Sequence, residues 1–301
     1  MGASRFLRGL VSFIDARELT VIVNTGDDEC FFGLHVSPDV DTILYTLAGL
    51  ISPTRGWGIA DDSFSCLETL GRFYAETWFQ LGDRDLATHI FRTDFLRRGG
   101  TLEDATRAIA ASLGVQPTVL PMSNDSVRTF VDVGNSGPLP FQEYLVRRRG
   151  AGRVRRIRYR GIGTARPARG VLQALRKAEY VILPPSNPLV SIGPILALPG
   201  VRKTLRSTRA RVAAVSPIVG GAPVKGPLHR MLRGLGHEVS PVGVARLYRG
   251  LVDLFVVDER DAAMAPRITD LGMRTLVTDT LMTDAARSRR LAGAVLAELA
   301  R

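Results

Sequence analysis

The sequence predicts a doubly wound α/β fold, with a mainly parallel sheet and an inserted α+β subdomain. Four short runs are rich in Val, Ile and Leu and lack strict polar alternation, which is typical of strands covered on both faces. These runs are Leu19–Asn24, Tyr180–Leu183, Val212–Ser216 and Leu251–Val257.

Segments with helical periodicity lie between or beside the four runs. An alternation of strand and helix favours a parallel sheet with helices on both faces. We therefore expect residues 1–63 and 165–301 to form a Rossmann-like core. The predicted helices are Ser4–Phe13, Thr42–Leu50, Arg84–Arg98, Leu102–Leu113, Gly170–Lys177, Pro227–Leu235 and Asp284–Leu299.

The region 64–164 differs from this core, because its second half contains short apolar runs separated by Gly, Asn and Pro turns. We interpret it as an inserted subdomain that is helical first and antiparallel afterwards. Its predicted strands are Thr118–Leu120, Arg128–Val133, Phe141–Arg148 and Val154–Tyr159.

Composition limits the classes of function. The net charge of +11 would attract anions, including nucleotides, phospho-acids and nucleic acid. Cys30 and Cys66 form no C-x-x-C pair, which disfavours a disulfide framework or a zinc site. The longest apolar run is interrupted by Asp253 and is too short to cross a bilayer, and Met1–Ile14 lacks the apolar centre of a signal peptide. We expect a cytoplasmic protein with no membrane partner.

An arginine-rich stretch runs from Arg147 to Arg160 and has two interpretations. It could be a nucleic-acid patch, but only Tyr159 is available there for stacking on bases. The alternating positions from Arg156 to Arg160 favour the solvent face of an edge strand instead. We therefore expect no nucleic-acid partner.

Two acidic segments follow the first predicted strand. Asp27 and Asp28 lie at its carboxyl end, where ligands bind in open α/β sheets, and their oxygens suit Mg²⁺. An ordinary acidic turn is the alternative. In an extended segment, Asp39 and Asp41 would project to the same side and could share a cation. The alternative is that one of them caps the helix that follows.

The segment 78–89 combines aromatic and charged residues. Asp83 is a plausible cap for the helix that begins near Arg84. Asp85 lies four positions before His89 on one helical face, so we expect a structural contact between these two side chains. Trp78, beside Phe79, could provide a wall for a flat ring system.

Two further loops follow predicted strands and place small polar residues at strand ends. Ser186 and Asn187 follow one strand and Ser216 ends another, where backbone N–H groups can hold phosphate. Lys225 adds a cation ahead of a helix. Plain turns are the alternative for both loops. The sequence has no P-loop motif and no G-x-G-x-x-G after a strand.

Seven motifs, each weak alone, together resemble the 2-phospho-L-lactate transferase family in their order along nearly the whole chain. They are Val23–Glu29, Ser37–Thr42, Leu81–His89, Leu120–Asp125, Pro185–Ile195, Val215–Gly220 and Asp279–Met282. The resemblance implies a nucleotide-binding core and an enzyme of coenzyme F-420 biosynthesis. In that reaction, the ribityl hydroxyl of 7,8-didemethyl-8-hydroxy-5-deazariboflavin attacks the phosphate of a guanylyl diphosphate donor. A phospholactyl-type or phosphoenolpyruvyl-type group is transferred, and GMP is released.

The resemblance also implies roles for individual residues. Asp27 and Asp39 would bind Mg²⁺. The deazaflavin would contact Asp41, Gln80, Trp57 and Trp78, with Asp41 also orienting the attacking hydroxyl; some relatives carry Lys at the position of Gln80. The guanylyl diphosphate would contact Ser186, Asn187, Ser216 and Lys225. Arg84 would neutralise phosphate charge, or alternatively form an ion pair with Asp83 or Asp85. A homodimer is a family expectation.

One departure from the family concerns the amino terminus. The family opens with an apolar strand and a glycine-rich turn, whereas Met1–Leu10 matches only the end of that turn and the helix. We hypothesise that the chain is an amino-terminally shortened form, whose sheet would have a gap with unpaired backbone groups. The main competing function is a non-catalytic sugar-nucleotide-binding protein of the related gluconeogenesis-factor type.

Overall fold

The computed structural model describes residues 2–134 and 137–301, and it confirms the α/β fold with parallel sheets. Met1, where the amino-terminal departure begins, lies outside the described residues. The strands are β1 (Thr20–Val23), β2 (Glu29–Phe31), β3 (Leu34–Val36), β4 (Thr118–Pro121), β5 (Arg128–Val133), β6 (Pro138–Pro140), β7 (Val154–Arg160), β8 (Tyr180–Leu183), β9 (Arg211–Val215), β10 (Ile218–Val219), β11 (Ala222–Pro223), β12 (Leu254–Asp258) and β13 (Arg274–Thr278).

Helices cover the sheets and occupy the first half of the region 64–164. They are α1 (Gly2–Leu10), α2 (Pro38–Leu47), α3 (Ser65–Leu70), α4 (Asp83–Arg97), α5 (Leu102–Ser112), α6 (Val171–Lys177), α7 (Ile192–Ala197), α8 (Val201–Ser207), α9 (Leu228–Gly234), α10 (Pro241–Leu247), α11 (Ala265–Thr269) and α12 (Ala285–Ala300). No helix among the described residues is long and apolar enough to cross a membrane.

The main sheet has four parallel strands in the order β13-β12-β9-β8. Alternate residues of its central strands face two separate cores. Val212 and Phe255 belong to the core covered by α6, α7, α8 and α10, whereas Ala213 and Val256 belong to the core covered by α1 and α12. Burial on both faces explains why these strands read as continuous apolar runs.

A second parallel sheet contains only β1 and β4, with Val21 opposite Val119. Among the described residues, neither β1 nor β8 has a strand neighbour on its other side. The parallel core is therefore split into two sheets, which share packing through α1: Phe6 lies in the core of the main sheet and Leu7 in that of the smaller one. The hypothesis of a shortened amino terminus stays a prediction.

The region 64–164 contains a three-stranded antiparallel sheet in the order β6-β5-β7. Two sequence predictions within it are wrong. The run at 118–120 pairs in parallel with β1, so it extends the core rather than the antiparallel part. The run at 141–148 is helical and includes a π-helix over Glu143–Arg147, because Phe141 and Tyr144 are buried at helical rather than strand spacing.

The strand β7 forms one edge of this antiparallel sheet and carries the arginine-rich stretch. Arg156, Arg158 and Arg160 are exposed there, which confirms the prediction of a solvent face on an edge strand. Arg158 pairs with Asp132 of β5 at 2.5 Å.

Candidate functional site

The acidic loop after β1 is held in place by Asn24. The Asn24 side-chain oxygen accepts a hydrogen bond from the Gly26 amide at 2.8 Å, which closes the turn. The side-chain amide of Asn24 donates to Asp39 Oδ2 at 3.0 Å and to the Val190 carbonyl at 3.2 Å. One buried asparagine therefore connects this loop to the start of α2 and to the loop after β8.

Asp27 and Asp39 form a candidate cation site beside Asn24. Asp27 is 6% exposed, and its Oδ1 has no hydrogen-bond partner in the described part of the chain. Burial raises the pKa of the Asp27 carboxyl well above its ordinary value, and the nearby charge of Asp39 raises that pKa further. Burial also raises the pKa of Asp39. A cation between two such carboxylates would stabilise both charges, so the pair fits a divalent ion.

A divalent cation at this site would have two carboxylates as ligands, and its remaining ligands would be neutral oxygens. Within residues 2–134 and 137–301, no group of three or more His, Cys, Asp or Glu residues is arranged to hold a metal ion. Mg²⁺ commonly takes one or two protein carboxylates and keeps several waters, so a pair of carboxylates is compatible with this ion.

Asp28 connects the β2–β3 hairpin to the start of α2. Its Oδ2 accepts a hydrogen bond from Ser37 Oγ at 2.7 Å and lies 3.0 Å from His35 Nε2. Burial raises the pKa of Asp28, and the interactions with His35 and Ser37 oppose that shift. Of the two aspartates that the sequence places at this strand end, Asp28 therefore has a clear structural role.

Asp41 is bound by a residue that the sequence analysis missed, Arg92 of α4. The Asp41 oxygens accept hydrogen bonds from both terminal nitrogens of the guanidinium, with Nη1 to Oδ2 at 3.1 Å. Asp41 is 4% exposed and Arg92 is 0% exposed. Burial works against the charged guanidinium, but Asp41 keeps the pKa of Arg92 above its ordinary value. The carboxylate that was predicted to contact the deazaflavin is therefore fixed by a buried ion pair.

The predicted contact between Asp85 and His89 is confirmed, since Asp85 Oδ1 lies 3.3 Å from His89 Nε2. Tyr45 Oη donates to the same Asp85 oxygen at 2.6 Å. Burial opposes ionisation of Asp85, but the interactions with His89 and Tyr45 outweigh it and hold the pKa of Asp85 below its ordinary value. His89 Nδ1 is 3.7 Å from Asp41 Oδ2. His89 therefore connects Asp85 to the Asp41–Arg92 ion pair.

The starts of α3 and α4 cap each other through two aspartates. Asp62 accepts hydrogen bonds from the Arg84 and Asp85 amides at 2.8 and 3.1 Å, which caps α4. Asp83 accepts from the Ser65 and Cys66 amides at 3.0 and 2.9 Å, which caps α3. The prediction that Asp83 caps α4 is therefore wrong, because Asp62 reaches those amides from a loop 22 residues earlier.

Arg84 is exposed, and its Nη1 donates to the Ala60 carbonyl at 3.2 Å. The alternative of an ion pair with Asp83 or Asp85 is wrong, since neither pair forms in the described structure. Its predicted contact with phosphate stays a prediction.

The aromatic side chains that were predicted to contact the deazaflavin lie in two separate groups. Trp78 packs edge-on against Phe31 with ring centroids 5.3 Å apart, and Phe31 stacks on Phe79 at 4.0 Å. Trp57 is 37% exposed and lies 5.3 Å from the guanidinium of Arg55. Gln80, next to the first group, is exposed. Among the described residues, no ring or cation–π contact joins the two groups, so their shared role stays a prediction.

The predicted phosphate-binding loops meet at one edge of the main sheet, because β8 and β9 are parallel neighbours. Asn187 accepts from the Leu189 amide at 2.9 Å, so its side-chain oxygen makes a turn. Ser216 is 1% exposed and bonds locally to Ile218. Ser186 is half-buried and Lys225 is exposed. A Cβ on Gly2 would overlap the Pro185 carbonyl, so the start of α1 lies directly against this edge.

Two buried aspartates that the sequence analysis did not identify each fix a neighbouring loop, one after β13 and one after β10. Asp258 accepts from the amide and the hydroxyl of Thr280, both at 2.9 Å. Asp261 accepts from the Gly220 and Gly221 amides at 2.8 and 3.0 Å. Both glycines have positive φ, which turns successive amides toward one acceptor. The only sequence signal for these contacts is an aspartate at or just after the end of a buried strand.

Comparison with known proteins agrees with this architecture. A family model described as 2-phospho-L-lactate transferase CofD matches residues 1–290. A 2-phospho-L-lactate transferase of Methanosarcina mazei is 41% identical over 295 residues, which covers 98% of this chain and 96% of that protein. A phosphoenolpyruvate transferase of Streptomyces griseus is 43% identical over 289 residues, which covers 94% of this chain and 91% of that protein.

A crystal structure of a UPF0052 family member from Bacillus halodurans superimposes with a TM-score of 0.68 at 17% identity, covering 98% of this chain and 96% of that one. At that identity, the likeness shows the fold alone. The family model and the curated relatives both extend over nearly the whole chain. The chain therefore belongs to the 2-phospho-L-lactate transferase CofD family.

Proposed function

We propose that this protein transfers a phospholactyl-type or phosphoenolpyruvyl-type group from a guanylyl diphosphate donor to the ribityl hydroxyl of a deazaflavin, with release of GMP. The hydroxyl oxygen forms a new bond to phosphorus, the bond between that phosphorus and the GMP phosphate oxygen breaks, and the hydroxyl proton passes to solvent water. The observation that carries the proposal is the pair of buried Asp27 and half-buried Asp39 at the sheet edge, with an Asp27 oxygen that has no partner in the described structure.

Asp27 and Asp39 would hold Mg²⁺. When bound, the ion would neutralise the diphosphate and polarise the phosphorus–oxygen bond. Without the ion, the two carboxylates would repel the anionic donor. The reaction needs positioning and neutralisation of charge more than covalent catalysis, which is consistent with a site lacking a prepared nucleophile.

The donor would lie along the edge formed by the loops after β8 and β9. Ser186 would contact the diphosphate directly, whereas Asn187 and Ser216 would act by shaping their turns, since their side chains are already bonded there. Lys225 would add a positive charge from the exposed side. Arg84 would reach the donor only if its hydrogen bond to the Ala60 carbonyl breaks.

The acceptor would lie on the side of Trp78, Gln80 and Trp57. Asp41 would accept a hydrogen bond from the ribityl hydroxyl through a lone pair that Arg92 leaves free. Because the ion pair fixes that carboxylate, its role would be to orient the nucleophile rather than to remove its proton.

The test is Mg²⁺-dependent turnover of the deazaflavin with phospholactyl and phosphoenolpyruvyl donors in parallel, with GMP release measured. We expect turnover with at least one donor, and a large loss in the Asp27→Asn variant. Unchanged turnover in Asp41→Asn would remove Asp41 from the mechanism. Binding of nucleotide without binding of the deazaflavin or turnover would contradict the proposal and favour a non-catalytic nucleotide-binding protein.

A further inference from the structure

Thr129 of β5 carries a buried hydroxyl close to the Asp27 carboxyl. Thr129 is 2% exposed, and its Oγ1 has no hydrogen-bond partner among residues 2–134 and 137–301. A buried hydroxyl left without a partner destabilises the folded state, so a ligand is a natural explanation for it.

The Thr129 hydroxyl is directed at the acidic loop. The Thr129 amide donates to the Gly26 carbonyl at 2.7 Å, which ties β5 to that loop. A Cβ built on Gly26 would lie 2.7 Å from Thr129 Oγ1, so the hydroxyl occupies the space beside the glycine that precedes Asp27. The hydroxyl is also near enough to Asp27 to favour its ionised form, although burial of that carboxyl dominates.

Other oxygens without partners surround the same loop. Within the described residues, Thr25 Oγ1, Asp27 Oδ1 and Asp28 Oδ1 are also buried and unpartnered. Four oxygens from two different elements therefore remain unsatisfied around one loop. Oxygen atoms of carboxylates and neutral groups are the donors that hard divalent cations select.

We propose that Thr129 is a further residue of this site, and that its hydroxyl binds the divalent cation held by Asp27 and Asp39, directly or through a coordinated water. The inference rests on the metal site of the proposed function and adds a ligand-binding residue from outside the core. The antiparallel sheet would then be part of the site, because β5 would supply an oxygen ligand for the cation.

The test compares Thr129→Val, which removes the hydroxyl but keeps the shape and the β-branched carbon, with Thr129→Ser, which keeps the hydroxyl. Thr106→Val is the matched control, because Thr106 is another fully buried threonine on α5 whose hydroxyl lacks a partner in the described chain. Binding of Mn²⁺, a spectroscopic substitute for Mg²⁺, is measured by the loss of its free-ion paramagnetic resonance signal, in the absence of either substrate.

We expect the dissociation constant for Mn²⁺ to rise about tenfold in Thr129→Val, the lower end for loss of a supporting group at a metal site. Thr129→Ser and Thr106→Val should bind Mn²⁺ like the wild type. Circular dichroism and the Mg²⁺-induced rise in Tm check folding, and Thr129→Ala is the second variant if the valine form does not fold.

Wild-type affinity for Mn²⁺ in both Thr129→Val and Thr129→Ala would overturn the inference while leaving the proposed transferase intact. Failure of the wild type to bind Mn²⁺ would overturn the metal site itself, and with it the role of Thr129. Deazaflavin turnover is measured separately, so failure of the proposed reaction is distinguishable from both outcomes.

Discussion

Arg92 and Asp41 form a buried ion pair that joins α4 to α2, with both guanidinium terminal nitrogens bound to the carboxylate. The pair lies close to His89, whose Nδ1 is 3.7 Å from Asp41 Oδ2. Because both charges are removed from water, each depends on the other for its stability.

The first prediction concerns loss of the guanidinium. Arg92→Met should lower the free energy of unfolding by about 3–5 kcal/mol, since it leaves the Asp41 charge buried without a partner. Urea denaturation measures the change. The control is Arg98→Met, which breaks the exposed pair with Asp94 on the same helix and should alter stability by less than about 1 kcal/mol. Equal effects in the two variants would contradict the importance of the buried pair.

A second prediction concerns Gly82, which precedes α4. A Cβ on Gly82 would overlap the Asp62 carboxylate, so Gly82→Ala should displace the cap of α4 and destabilise the protein by about 1–3 kcal/mol. Gly163→Ala is the control, because a Cβ there would meet open space. Thermal unfolding distinguishes the two; a Gly82→Ala protein as stable as Gly163→Ala would show that Asp62 can move without loss.

The third prediction concerns pH. The raised pKa of Asp27 means that the native state favours the protonated carboxyl, so its contribution to stability is present below about pH 4 and is lost as pH rises toward the folded value. In the presence of a chelator, Asp27→Asn should match the wild type at low pH and become relatively more stable as pH rises. A constant difference across that range would argue against the shift.

A fourth prediction concerns the role of Lys225 in binding the donor. Lys225→Gln should raise the KM for the guanylyl diphosphate donor roughly fivefold and weaken its salt dependence, because an exposed charge contributes up to about 1 kcal/mol to an ion pair. Lys203→Gln, an exposed lysine on α8, is the control. An unchanged KM with lowered stability would assign Lys225 a structural role instead.

Local sequence patterns predicted those parts of the fold that depend on burial. The strand β9 was predicted within one residue of its observed bounds, because strands buried on both faces form continuous apolar runs. The strand predicted over 141–148 failed because short apolar segments fit either period, and tertiary packing selected a helix.

In the candidate site, too, local contacts were predicted from the sequence and long-range contacts were not. The spacing of Asp85 and His89 revealed their contact, since residues four apart lie on one helical face. The pairing of Asp41 with Arg92 spans 51 residues and depends on how α2 and α4 pack, which no local pattern encodes. The capping role of Asp62 was missed for the same reason, because its partners on α4 lie more than 20 residues away.

The mutual caps of α3 and α4 have a consequence for local opening. Because Asp62 holds the first amides of α4 while Asp83, on α4, holds those of α3, fraying of either helix end removes the acceptor for the other. Both helix starts should therefore exchange their amide hydrogens as one cooperative unit, with a common protection factor at Ser65, Cys66, Arg84 and Asp85.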